Sequence, residues 1–128
     1  GIPMIYYGDE IGMGGGDDPD CRKCMEWDES KWDMKIYNMI KKMVRMRTKY
    51  ESLKYGSFRW LNIHDRLLSF IRETKNEKIL IIINNGNNKV TFDKPKDINL
   101  LEDILNEKVL KSDKIEVNAS SFVVIKIL

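Results

Sequence analysis

Histidine and alanine are nearly missing from this chain: His64 and Ala119 are the sole examples among 128 residues, which include only two cysteines and three prolines. The lone histidine excludes a histidine-rich metal centre. With Asp65 beside it in an expected turn and no nucleophile near in sequence, it reads as a surface residue. Scarce alanine against abundant lysine, asparagine and isoleucine reflects an AT-rich genome and says nothing about function. Nor does one sign of charge dominate. The 22 basic and 20 acidic residues leave a net charge of +2, so neither nucleic acid nor an anionic membrane is implied as a partner. The longest apolar runs, residues 78–83 and 122–128, fall far short of the ~20 residues that a membrane-spanning helix needs. No charged and apolar leader precedes the first apolar run, so any export signal is expected upstream of Gly1.

The two cysteines, Cys21 and Cys24, form a Cys-x-x-Cys pair. A redox dithiol of the usual kind wants the strand-to-helix turn of a thioredoxin-like unit, and a zinc site wants a second pair of ligands. Neither context is present. The pair is therefore expected to be two reduced loop thiols, which points to a reducing, cytoplasmic compartment.

What is there begins with an apolar run, residues 4–8, bounded by Pro3 and Gly8. Short and rich in aromatics, it reads as a strand buried on both faces, of the kind found in parallel sheets whose carboxyl-end loops carry chemistry. Residues 11–28 form a long connection, since Gly14, Gly15, Gly16 and Pro19 oppose regular structure. From Ser30 the period becomes helical: Ile36, Tyr37, Ile40, Met43, Val44 and Arg47 share a face, and the spacing predicts a helix over 31–49 with Ser30 as N-cap and Asp33 behind it. After Gly56 short strands are expected at 57–61, 67–73, 79–84, 89–92, 99–104, 108–110, 115–117 and 122–128. Residues 75–77 and 84–88 between them read as hairpin turns. That spacing argues an antiparallel sandwich. Residues 79–83 are almost continuously apolar, so this strand is expected at the centre, covered on both faces. At 42% hydrophobic the chain can bury one modest core, whereas a closed eight-stranded barrel takes about 250 residues.

The chemistry-bearing residues crowd the long connection and the turn before it. Asp9, Glu10, Asp17, Asp18 and Asp20 invite a search for the paired carboxylates of a glycosidase. They do not match an EF-hand loop, because its alternating ligands and terminal glutamate are missing; calcium in another geometry stays open. Asp18 and Arg22 stand four apart, so one helical turn begun at Pro19 puts carboxylate and guanidinium on one face. There they can accept from and donate to adjacent sugar hydroxyls, or simply pair and shape the loop. Trp27 is expected to pack rather than to stack on a sugar, and Trp32 and Trp60 are expected to seal the joint between the helix and the sandwich.

Three segments together resemble the alpha-amylase family of glycoside hydrolases. The opening Gly1, Pro3 and Tyr6-Tyr7-Gly8-Asp9-Glu10 match its eighth barrel strand. Asp18-Pro19 followed by Arg22, Met25 and Trp27 resembles the branch containing neopullulanase, cyclomaltodextrinase and maltogenic amylase, with Cys24 where many members have proline. Residues 99–107 and 120–128 are similar to the end of the family's C-terminal domain. The resemblance implies an α+β fragment, with residues 1–50 the last strand, loop and helix of a TIM (β/α)8 barrel and 51–128 an all-β antiparallel sandwich. It implies a parent enzyme that cleaves α-glucosidic bonds with retention. The family's catalytic carboxylates lie on earlier strands, so no catalytic residue and no activity are expected in this chain. The aspartate and arginine matching Asp18 and Arg22 hold the glucose unit on the non-reducing side of the cut. The partner implied is an α-glucan or maltooligosaccharide, and no cofactor is expected, with calcium left open for the parent. Parted from its neighbours, the 4–8 strand is expected either to be disordered or to pair with another copy, so that the fragment self-associates. The competing reading is a non-catalytic carbohydrate-binding or structural β-sandwich module, which would need exposed coplanar aromatics on one sheet.

Overall fold

A computed structural model describes residues 2–93 and 101–128. It divides into two compact units, Gly1–Arg45 and Met46–Leu128.

The first unit is mostly loop, punctuated by single 3-10 turns at Asp9–Ile11, Asp20–Arg22 and Glu29–Lys31. The apolar run at 4–8 corrects the expectation of a buried strand: it forms no ladder among the described residues, and Met4 is 84% exposed. Among the described residues the unit contains no strand to supply ladder hydrogen bonds, and an isolated strand has no means of satisfying its backbone. Instead the chain folds back at once. Gly8 and Gly12 take left-handed conformations, φ 92° and 71°, that let the Met13 and Ile11 amides return to the Gly8 carbonyl. A side chain at Gly8 would also meet Met13 Sδ at 2.7 Å.

Helix α1, Met34–Lys49, starts three residues later than its periodicity suggests. Asp33 rather than Ser30 caps it, its Oδ1 accepting from the amides of Lys35 and Ile36 at 2.9 and 3.1 Å. Ser30 instead belongs to the preceding 3-10 turn, which Asp28 caps. Arg47 and Lys49 in the last turn suit the negative end of the helix. None of its residues is fully buried, and Ile36, Met43 and Val44 are 39%, 41% and 46% exposed.

The second unit is built on an antiparallel six-stranded sheet. Its strands are β1 (Ser57–His64), β2 (Leu67–Glu73), β3 (Lys78–Asn84), β5 (Leu101–Asp103), β6 (Lys108–Leu110) and β8 (Ser121–Ile127), in the order β1-β2-β3-β8-β5-β6. A two-stranded ribbon of β4 (Val90–Asp93) and β7 (Lys114–Val117) completes it. β3 lies between β2 and β8, and its alternate side chains feed two cores. Leu80 and Ile82 pack with Ile71, Leu101 and Ile125 against Ile115 and Val117 of the ribbon. Ile79 and Ile81 pack on the other face with Val124, Ile104, Leu105 and Tyr50. Continuous hydrophobicity in 79–83 is thus explained by two covered faces.

A short helix α2, Glu51–Tyr55, precedes the sheet and has no counterpart in the sequence reading. The Ser52 amide donates to Glu77 Oε1 at 2.8 Å and Arg72 Nε donates to the Ser52 carbonyl at 3.2 Å, tying α2 to the β2–β3 hairpin. That hairpin turns at 74–77 as expected, with the Thr74 amide donating to the Glu77 carbonyl. Residues 84–88 do not form a hairpin: the chain crosses there from β3 to the ribbon, and β4 pairs with β7. Buried Asn84 organises that crossing by donating from Nδ2 to the carbonyls of Asn88 and Asn118, both at 2.8 Å. Strand β1 is longer than expected, with a bulge between Trp60 and Asn62. His64 closes β1 rather than sitting in a turn, and its side chain, expected at the surface, lies outside the described residues. The first residues of the strand expected at 99–104 do so as well.

Candidate functional site

The acidic stretch resolves into separate local tasks. Asp9 Oδ2 accepts from the Tyr6 amide at 3.0 Å and Glu10 Oε2 from the Gly8 amide at 2.9 Å, so both carboxylates hold the turn that follows the apolar run. Among the described residues no group of three or more histidine, cysteine or acidic side chains converges to hold a metal ion.

Asp18 and Arg22 are brought together. The Asp20 amide donates to the Asp17 carbonyl and the Arg22 amide to the Pro19 carbonyl, making the 3-10 turn Asp20–Arg22. This turn carries Arg22 back over Asp18, and Arg22 Nη2 lies 2.8 Å from Asp18 Oδ2. The two side chains are 68% and 60% exposed. An ion pair so open to water contributes about 0–1 kcal/mol to stability. It does present a fork of donors beside carboxylate acceptors, the complement of neighbouring hydroxyls.

Contacts not legible in the sequence fasten this loop. Tyr7 donates from its hydroxyl to the Lys23 carbonyl at 2.9 Å, sixteen residues away, and Lys23 Nζ donates to the Gly14 carbonyl at 3.3 Å. Removal from water, then Tyr6 and the Cys21 and Cys24 thiols, raise the Tyr7 pKa above its ordinary value. The adjoining turn is held by Glu26, Asp28 and Lys31. Glu26 Oε2 is 3.0 Å from Lys31 Nζ, and Asp28 Oδ1 accepts from the Ser30 hydroxyl at 2.6 Å. Hydrogen bonds lower both acidic pKa values: for Glu26 chiefly from the Asp28 amide and then from Lys31, for Asp28 from the Ser30 hydroxyl and amide. The Asp-x-Ser pattern was the one available signal for this turn.

Ile11, Gly12, Met13, Lys23, Cys24 and Glu26 help to line an open hollow of about 290 Å³. Asp18 and Arg22 are not in its wall. Trp27, expected to pack, is 78% exposed. Trp32 does pack: its Nε1 donates to the Glu26 carbonyl at 2.9 Å and its ring lies 5.4 Å from Tyr37. Trp60 sits half-exposed on β1 with its ring against Phe58 and Phe70, at 4.9 and 5.5 Å. Cys21 and Cys24 are free and exposed.

No protein-family model matches the chain. Individual proteins do. A cyclomaltodextrinase from Thermoanaerobacter pseudethanolicus is 46% identical over 87% of this chain and 19% of its own length. Neopullulanase 2 from Thermoactinomyces vulgaris is 38% identical over 71% of the chain and 16% of its own length. The crystal structure of a maltogenic amylase from S. marinus superposes with a TM-score of 0.78 at 34% identity, covering 95% of this chain and 16% of that one. The chain thus spans about a fifth or less of the length of the curated relatives it matches. It belongs to the alpha-amylase family of glycoside hydrolases, with the cyclomaltodextrinases, neopullulanases and maltogenic amylases, and corresponds to their C-terminal region.

Proposed function

We propose that this chain is the closing segment of a retaining glycoside hydrolase acting on α-glucosidic bonds of starch-derived glucans or cyclodextrins. Residues 1–50 would complete a catalytic (β/α)8 barrel and residues 51–128 would form its C-terminal antiparallel sandwich. The long loop followed by helix α1 supports the first assignment, and the ribbon packed on the larger sheet supports the second. The segment supplies part of the substrate cleft and a structural cap, with the catalytic carboxylates elsewhere in the enzyme. We assign it no cofactor and no nucleic-acid or membrane partner, and its free thiols favour the reducing cytoplasm. No helix among the described residues is long and apolar enough to cross a membrane.

The observation that carries the site assignment is the pairing of Asp18 with Arg22 at 2.8 Å while both stay open to solvent. In this reading they grip the glucose unit on the non-reducing side of the cleaved bond. In the full-length enzyme Asp18→Ala and Arg22→Ala each remove charged hydrogen bonds of about 1.5–3 kcal/mol, so kcat/KM on maltooligosaccharides should fall roughly ten- to a hundred-fold. Unchanged kinetics in both variants would return the pair to a loop-shaping role.

Half-exposed Phe58 and Trp60 favour a second reading, a carbohydrate-binding module. Their rings stand edge to face at 88°, unlike the flat platform that a glucan chain stacks on. Insoluble-starch retention by the wild type, lost in Trp60→Ala, would support that reading.

A further inference from the structure

The Arg22–Asp18 pair cannot fix itself in place. With both side chains open to water it is worth too little to hold a long guanidinium side chain in one position, so the backbone around it must set where the donors stand. The bonds that shape this backbone are local: the Asp20 amide to the Asp17 carbonyl, the Arg22 amide to the Pro19 carbonyl and Lys23 Nζ to the Gly14 carbonyl all begin and end within residues 14–23. A bond from outside the segment secures its far end. The Tyr7 hydroxyl donates to the Lys23 carbonyl at 2.9 Å, one residue past Arg22. Tyr7 is itself well held. The Asp9 and Glu10 carboxylates accept from the amides on either side of it, those of Tyr6 and Gly8, at 3.0 and 2.9 Å, and its ring centre lies 4.5 Å from that of Tyr6. The Gly8 carbonyl in turn receives the Ile11 and Met13 amides. This turn is a fixed base from which Tyr7 reaches across to the loop.

From this geometry we propose that Tyr7 is the positioning residue for Arg22, its hydroxyl holding the Lys23 carbonyl so that the guanidinium is presented to sugar beside Asp18. Tyr7 acts through Arg22. Lys23 leaves the 3-10 turn in an extended conformation, φ −60° and ψ 154°, and anchoring its carbonyl keeps the end of that turn from swinging. Misplacement of a substrate by about 1 Å can cost on the order of a hundred-fold in rate, so a bond that fixes the peptide next to Arg22 is felt where the guanidinium meets sugar. Phenylalanine at position 7 keeps a ring beside Tyr6 and loses only the tie. The consequence for catalysis rests on the sugar-binding role given to Arg22 above; the ordering of the loop by Tyr7 does not.

The test compares Tyr7→Phe, Arg22→Ala and the double variant of the full-length enzyme in kcat/KM on a maltooligosaccharide, and reads the order of the loop separately by limited trypsin cleavage after Arg22 and Lys23. Tyr7→Phe should lower kcat/KM roughly two- to ten-fold, the size of one lost neutral hydrogen bond, and should add nothing further in the Arg22→Ala background. Cleavage after Arg22 and Lys23 should quicken several-fold in Tyr7→Phe while the thermal midpoint of the enzyme is unchanged. Equal losses of kcat/KM with and without Arg22 would overturn the proposal, since a general packing role acts in both backgrounds. Cleavage as slow as in the wild type would overturn it as well. Faster cleavage with kcat/KM unchanged, in an enzyme that Arg22→Ala does impair, would overturn the role of Tyr7 and leave the sugar contact standing. Faster cleavage in an enzyme indifferent to both Arg22→Ala and Asp18→Ala would overturn the sugar-binding reading and the positioning role with it.

Discussion

At Asn84, one buried amide serves two separate stretches of chain. Its Nδ2 donates to carbonyls of Asn88 and Asn118 while its Oδ1 accepts from the Gly86 amide at 3.0 Å. Asn84→Ala leaves those groups without their partner, so a loss of about 1–3 kcal/mol is expected in urea unfolding. Gly56 is required for a different reason. Its φ of −61° suits any residue, but an added Cβ would sit 2.4 Å from the Ser52 carbonyl oxygen. Gly56→Ala should therefore destabilise the second unit by about 1–3 kcal/mol, through forced backbone movement. Glu26 and Asp28 give the first unit a pH dependence of known sign. Both pKa values are lowered on folding, so the unfolded chain binds more protons in the acid range. Their contribution is complete above the ordinary carboxylate range, about pH 4, and is lost as pH falls through the lowered folded values. NMR shifts of Ser30 and Lys31 followed during acid titration should move in that window, and Glu26→Gln should remove part of the change. Trp27 shows the reach of residue-level reading: a tryptophan at the approach to a helix is expected to pack, but this one is exposed.

Among the elements, α1 was legible in its C-terminal end at Lys49, whereas its apolar stripe stays largely exposed in this chain. Its start was not legible. Ser30, Asp28 and Asp33 are all competent caps, and only the 3-10 turn Glu29–Lys31 decides which of them faces helix amides. Asp33→Ala should reduce helix stability by about 1 kcal/mol, read as lower helical circular dichroism, whereas Ser30→Ala should not touch the helix cap. Strands between Gly56 and Asp93 were well placed because alternation and turn residues are local signals. The 84–88 loop was misread because asparagine and glycine favour any tight reversal, whether into the neighbouring strand or out of the sheet. Exchange rates should separate β3 from the opening run. Ile79, Ile81 and Ile82 amides, paired on both sides, should be the slowest, while the Met4 and Ile5 amides of the isolated chain should exchange fast. Strong protection at Met4 and Ile5 in a sample shown to be monomeric by sedimentation would contradict the absence of a strand ladder there among the described residues.

On the scale of the molecule, the 128-residue chain by itself should release no sugar from starch, pullulan or cyclodextrins above a buffer blank. Asp9, Glu10 and Asp18 are engaged with local donors rather than poised as a catalytic pair. The sequence by itself determined the alternation that makes strands, the apolar stripe of α1 and the spacing that sets Asp18 against Arg22, because each depends on neighbours within a few residues. Tertiary structure alone decided that β8 lies between β3 and β5, that β4 leaves the main sheet for β7, and that Tyr7 reaches Lys23. Apolar strand faces are chemically interchangeable, and a hydroxyl can meet any carbonyl within reach. Which partner is chosen depends on how the whole unit closes over its core.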